Sequence, residues 1–222
     1  MSTSQPQTLR IDMVSDVVCP WCTIGYQKLA RAIAQVEEKH KDLSVELHMQ
    51  PFELNPQMPP EGQNVNEHIA EKYGADEATI AGNRARMKTV AAELGLVFNS
   101  DESARIYNTF NAHKLLHRAA EQGIQLELKL ALFQAYFTDR ENISDNQVLI
   151  DIAVSVGMDE QLARAALADE GLAGEVRAEQ QRFINLGITS VPTFIINQRY
   201  SINGAQESQV LMQAFEDVLA QA

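Results

Sequence analysis

Cys19-Pro20-Trp21-Cys22 closes an alternating run, Thr8 to Val14, in which Leu9, Ile11 and Met13 take turns with Thr8, Arg10 and Asp12. That period of two is the mark of a half-buried strand. From about Pro20 to Lys39 the pattern changes: Leu29, Ile33 and Val36 share one stripe, and Lys39-His40-Lys41 suit the negative pole of a helix end. Alternation resumes from Ser44 to Phe52 through Val45, Leu47 and Met49. The opening therefore reads β-α-β, with a connection long enough for a right-handed parallel crossover. It sets a cysteine pair at the junction of the first strand and the first helix.

Outward from this unit the character shifts. Asn55 to Gly62 holds three prolines and a glycine and reads as a linker. Residues 64–170 carry almost only helical signals: a helix capped by Asp76 and closed by Gly95, and one starting near Ser103 and ending before Gly123. Leu126 to Phe137 reads as a third, a fourth is capped by Ser144 or Asp145 and stops at Gly157, and a shorter one follows Asp159. A further helix from about Gly174 to Leu186 leads to two strands, Thr193 to Asn197 and Tyr200 to Asn203, turned by Asn197-Gln198-Arg199. Val210, Leu211, Ala214, Phe215, Val218 and Leu219 give the last helix its apolar stripe. The expectation is an α/β domain split in sequence, residues 8–55 and 174–222, about 97 residues together, interrupted by an all-helical insertion over 64–170.

Composition narrows the function. The 222 residues are 45% hydrophobic, which excludes intrinsic disorder, and 30 acidic against 18 basic residues leave a net charge of -12. Such a chain repels phosphate backbones and anionic lipid, so neither nucleic acid nor a membrane is an expected partner. No stretch approaches 18 apolar residues, and Met1 to Gln7 lack the cationic and apolar regions of a secretory leader. A soluble, cytoplasmic protein is expected.

Two cysteines cannot staple a chain of this length. Spaced i, i+3 on a helix, Cys19 and Cys22 lie on one face. Pro20 suits the first turn, where its missing N–H costs nothing. The unpaired N–H groups of that turn favour an anion at Cys19, which is expected to attack, while Cys22, deeper in the helix, resolves the mixed disulfide. Three other readings compete: a structural disulfide closing a four-residue loop, two inert buried thiols, and half of a zinc site completed by His113 and His117. A second signal is Val191-Pro192-Thr193-Phe194, a proline opening an apolar strand. A cis bond there leaves the Val191 backbone free to pair with an extended substrate; periodicity alone favours trans.

Together the motifs resemble the thioredoxin-fold DsbA family, and more narrowly its cytoplasmic FrnE-like branch. Asp16 to Gly25, Asn108 to His113, Ser190-Val191-Pro192-Thr193 and Asn203-Gly204-Ala205-Gln206 carry the likeness. The resemblance implies thiol–disulfide oxidoreductase activity on protein or small-molecule thiols and disulfides, needing no metal or cofactor, with Cys19 as nucleophile, Cys22 as resolving thiol and a cis Pro192. It departs from the periplasmic members at Trp21, where they carry histidine. Without that positive charge, and with Asp16 nearby, a weaker oxidant than about -120 mV is expected. The architecture is similar also to kappa-class glutathione transferases and 2-hydroxychromene-2-carboxylate isomerases, which use serine at the position of Cys19. That likeness suggests glutathione as co-substrate near Val191, Gly204 and Gln206, or glutathione or a thioredoxin-type protein as recycling partner. Trp21 is at the least a hydrophobic cover, Asp12 or Asp16 is a candidate to take the Cys22 proton, and a redox-sensing or chaperone-like binding protein is a further alternative.

Overall fold

The computed structural model describes residues 7–221. The reading of a missing leader in Met1 to Gln7 falls, Gln7 apart, outside that range.

Strand β1 (Gln7–Ser15) is buried without interruption from Ile11 onward. The reason is its place: β2 (Leu43–Pro51) pairs with it in parallel on one side and β5 (Thr193–Ile196) antiparallel on the other. Register sets Met13 opposite Met49 and Phe194. Strand β6 (Tyr200–Asn203) completes the order β2-β1-β5-β6. The β5–β6 turn holds both Asn197 and Gln198 at positive φ, the geometry that matches the twist of a tight hairpin. Helices α1 (Pro20–Lys39) and α9 (Ser208–Leu219) pack together, and Leu9, Ile11, Leu29, Val36, Phe194 and Phe215 form the core between helices and sheet.

Between β2 and β5 run α2 (Val65–Tyr73), α3 (Glu77–Glu93), α4 (Phe110–Glu121), α5 (Gln125–Gln134), α6 (Asn146–Ser155), α7 (Glu160–Ala168) and α8 (Glu170–Asn185). The fold is thioredoxin-like with a helical insertion, and the insertion has its own core of Leu115, Leu116, Leu128, Leu132, Leu149 and Ile150. Four local expectations are corrected. The insertion is not purely helical: Gln63–Asn64 (β3) and Arg105–Ile106 (β4) form a short antiparallel bridge, tied by the Arg105 guanidinium to the carbonyls of Glu61 and Gly62. Helix α4 consequently begins at Phe110, not near Ser103. The stretch Leu126 to Phe137 is not one α-helix, since α5 ends at Gln134 and widens into a π-helical turn, Ala135–Asp139. Finally, α8 starts a turn before Gly174 because the Asp169 carboxylate accepts the Leu172 N–H as its cap.

Candidate active site

The turn before α1 is where the two cores meet. Val17 and Val18 insert into the core of the insertion, whereas Cys19 and Cys22, a few residues on, belong to the core around the sheet. Cys19 is the N-cap residue of α1, with extended backbone and no side-chain cap bond, and Pro20 fills the first helical position. The Cys19 carbonyl accepts the Cys22 amide N–H at 3.0 Å. Cys19 is 4% exposed and Cys22 fully buried. Both are free thiols. Burial, and then the hydrogen bond and charge of Cys19, push the Cys22 thiol well above its ordinary value.

The Val191–Pro192 peptide is cis, and the Cys19 Sγ lies 3.7 Å from the Val191 carbonyl oxygen. Val191, Cys19, Pro20 and Trp21 line a cavity of about 510 Å³ beneath α2 and α3, a volume in the range of small-ligand sites. Trp21 is half-buried and packs on the sheet core. Gly204 and Gln206 are elsewhere: the Gly204 amide donates to the Pro192 carbonyl at 2.8 Å, and the Gln206 side chain donates to Asn203 within its own turn. They sit behind the Pro192 loop and line no part of the cavity that Cys19 faces.

Asp16 is fully buried, and one carboxylate oxygen accepts the Leu54 amide at 2.8 Å. The other lies 3.3 Å from His113 Nε2. Burial raises this carboxyl, yet the bonds from His113 and Leu54 and the nearby charges of His113 and Lys129 outweigh it and hold Asp16 below the usual carboxylate range. Asp12 instead binds Arg10 and Gln50. His113 and His117 do not converge, since His117 faces Glu175 at 3.4 Å. Among the described residues no three His, Cys, Asp or Glu side chains are grouped to hold a metal.

One group at this site has no counterpart in the sequence reading. Lys129 of α5 is 1% exposed; burial drives its ammonium down to about 8, against the charges of Cys22, Asp16 and Cys19, which favour the protonated form. A signal for it existed: Lys129 shares an i, i+3, i+4 stripe with Leu132 and Phe133, and a lysine on a core stripe is rarely idle. Lys129 and His113 also line a second cavity of about 300 Å³, together with His48 and Gln125.

A dithiol at the N-terminus of a helix, beside a cis-proline loop at one end of a four-stranded mixed sheet, defines a thioredoxin-fold protein of the dithiol type. Residues 10–216 match the DSBA-like thioredoxin domain, and the chain belongs to that family. It is 30% identical over 211 residues to the uncharacterized protein YwbO of Bacillus subtilis, covering 95% of this chain and 97% of that one. A probable DsbA oxidoreductase from Streptomyces coelicolor superposes with a TM-score of 0.89 at 31% identity, covering 96% of this chain and 91% of that chain. The cytosolic disulfide reductase DsbM of Pseudomonas aeruginosa, solved with GSH, shares the fold at 20% identity and a TM-score of 0.61, covering 96% of this chain and 100% of that chain. Among the described residues no helix is long and apolar enough to cross a membrane.

Proposed function

We propose that the chain is a cytoplasmic dithiol–disulfide oxidoreductase of the FrnE-like kind. The observation that carries this reading is the approach of Cys19 Sγ to the Val191 carbonyl at 3.7 Å on the wall of an open cavity, with Cys22 sealed behind it. Cys19, as thiolate, attacks one sulfur of a bound disulfide; that S–S bond breaks, one thiolate leaves, and a mixed disulfide forms on Cys19. Cys22 then gives up its proton and displaces the second thiol, closing a Cys19–Cys22 disulfide. Trp21 covers the sulfurs and Val191 offers its backbone to the substrate.

Lys129, rather than Asp12 or Asp16, is the acceptor for the Cys22 proton. Asp12 is engaged by Arg10 and Gln50, and Asp16, held below the usual carboxylate range, is too weak a base to draw the proton from a thiol. Lys129 sits near enough for its charge and that of Cys22 to act on each other, and the smaller cavity gives its proton a way to solvent. Glutathione, or a thioredoxin-type dithiol, recycles the pair; the fold likeness to the GSH-bound DsbM supports the former.

The test is dithiol-dependent reduction of insulin and refolding of scrambled ribonuclease, with Cys19→Ser and Cys22→Ser as controls. Cys19→Ser abolishes both activities, and Cys22→Ser accumulates a mixed disulfide on Cys19. Two variants that match the parent would reject thiol exchange. Glutathione conjugation or isomerisation that survives Cys22→Ser but not Cys19→Ser would move the chain to the glutathione-using class instead, and client binding untouched in every variant would make it a binding protein.

A further inference from the structure

The cavity beside Cys19 carries the wrong charge for this protein. Of 18 lysines and arginines in the chain, five line it; of 30 aspartates and glutamates, only Glu141 does. The cations are not neutralised alike. Arg140 is paired with Asp101 at 2.7 Å. Lys72, by contrast, is held by the Leu54 carbonyl and the Asn55 side-chain oxygen, Arg84 by the Asn66 side-chain oxygen, and Arg105 by the backbone carbonyls of Glu61 and Gly62. All these acceptors are uncharged, so they fix the position of each cation without cancelling its charge.

Helix α3 explains why the charge is there. A 17-residue helix that buries only Ile80 and Ala91 has almost no core face of its own. Its positions 80, 84, 87 and 88, which follow the i, i+4, i+7, i+8 spacing of one helical face, are Ile80, Arg84, Met87 and Lys88, and all four line the cavity. Aromatic rings line the same cavity, with Phe98 stacked on Phe137 at 4.6 Å and Tyr136 edge-on to Phe137. Apolar rings and methionine on the walls, with uncompensated cations among them, match a ligand that is apolar in body and anionic at its ends.

Resting on the thiol-exchange reading above, we infer that this cavity selects low-molecular-weight disulfides with an apolar or aromatic body and carboxylate groups. The carboxylates lie against Arg84, Lys88 and Lys72, and one sulfur meets Cys19. Exchange follows the steps already given: two electrons pass from the Cys19–Cys22 dithiol to the small disulfide, which leaves as two carboxylated thiols, and the Cys22 proton ends on one of them or in solvent. A second turnover takes its electrons from an external dithiol.

The experiment uses pre-reduced full-length protein in single turnover, so no recycling reductant is needed. Second-order rate constants are measured for the dianionic aromatic disulfide 5,5′-dithiobis(2-nitrobenzoate) and for neutral 4,4′-dithiodipyridine. Both react at the same sulfur, so their ratio isolates the charge of the cavity. In Arg84→Gln/Lys88→Gln the ratio of dianion to neutral falls roughly tenfold, as it does for the parent on raising salt, and Arg84→Glu/Lys88→Glu lowers it further. The dianion also binds, intact, to the thiol-free Cys19→Ser/Cys22→Ser protein by calorimetry, and the glutamine pair weakens that binding. A ratio unchanged by the substitutions overturns the proposal and leaves thiol exchange standing. An acidic cysteine peptide disulfide that loses rate while the dianion does not also overturns it, in favour of a polypeptide occupant. Binding of the dianion without exchange in the parent rejects the oxidoreductase reading and keeps the anion site.

Discussion

His113 Nε2 of α4 lies 3.3 Å from Asp16 Oδ1, and both side chains are 1% exposed. An inserted helix is thereby fastened to the turn that delivers Cys19 three residues later. Deep burial makes this contact costly to break, because a carboxylate that loses its partner has no water to turn to. His113→Leu is expected to lower the free energy of unfolding in urea by about 3 kcal/mol. Adding Asp16→Asn recovers part of the loss, since the stranded charge is gone. Independent, additive effects of the two substitutions would mean that the contact carries no coupling.

Gly25 offers a second handle on the site, from the opposite side. A Cβ at this position in α1 would stand 2.9 Å from Pro192 Cγ and 3.3 Å from the Phe194 ring. Neither is the free end of a flexible chain, so the Pro192 loop would have to withdraw. Gly25→Ala is expected to cost roughly 1–3 kcal/mol of stability by overpacking and to slow exchange at Cys19, because Val191 moves with Pro192. Normal insulin reduction in a variant that is destabilised would show that the loop yields without disturbing Val191.

How far the sequence reveals this arrangement depends on the kind of signal. The sheet and its flanking helices are legible because burial there follows simple periods: Leu9, Ile11 and Met13 alternate, and Leu29 and Val36 recur on one face. Helix starts in the insertion are less so. Ser103 looks like an N-cap, yet its hydroxyl bonds Asp101 and receives Arg140, partners 2 and 37 residues away that no local pattern announces. The cysteine pair and Val191 are visible as motifs. Lys129 is only half legible: its place on the stripe of Leu132 and Phe133 marks it as buried, but no local pattern shows that its charge meets Cys22 and Asp16. Arg84 and Lys88 look like solvated charges until α2 and α3 are seen to wall in the cavity. Gly204 and Gln206 are marked by family likeness alone; their bonds run to the Pro192 carbonyl and to Asn203, and neither lines the cavity at Cys19.

The role assigned to Lys129 is separable from simple support of the fold. If it accepts the Cys22 proton, resolution of the mixed disulfide accelerates as pH rises through about 8, where the ammonium gives up its own proton. Lys129→Met removes that inflection and slows resolution by roughly 10²-fold, while the first attack by Cys19 changes little. Lys129→Arg keeps a charge that cannot deprotonate, so it resembles the methionine variant in rate though it keeps the cation. Rapid quench with mass detection of the Cys19 adduct reads each step; an inflection that persists in Lys129→Met would assign the titration to another group.

Burial of Lys129 also has a thermodynamic signature with a defined sign. Its value falls from 10.5 in the unfolded chain to about 8 in the fold. Between those limits the unfolded chain still holds the proton that the folded protein has released, so stability rises with pH across this window. Below about 8 both states are protonated and the full penalty, about 3 kcal/mol, is present; above 10.5 it has vanished. Cys22 acts in the opposite direction. Its thiol is pushed up by burial, so the unfolded chain ionises first and stability falls as pH rises above the thiol's ordinary value of 9.0. The two are separated in the Cys19→Ser/Cys22→Ser background, where only the lysine remains. There, Lys129→Met is expected to be the more stable protein near neutrality, and the gap closes by at least about 3 kcal/mol as pH climbs to 10.5. Loss of the thiols also removes the charges that favour the ammonium, so the closing begins below pH 8. Urea denaturation at half-unit pH steps measures the gap; one that stays constant would mean the lysine reaches water and carries no burial penalty.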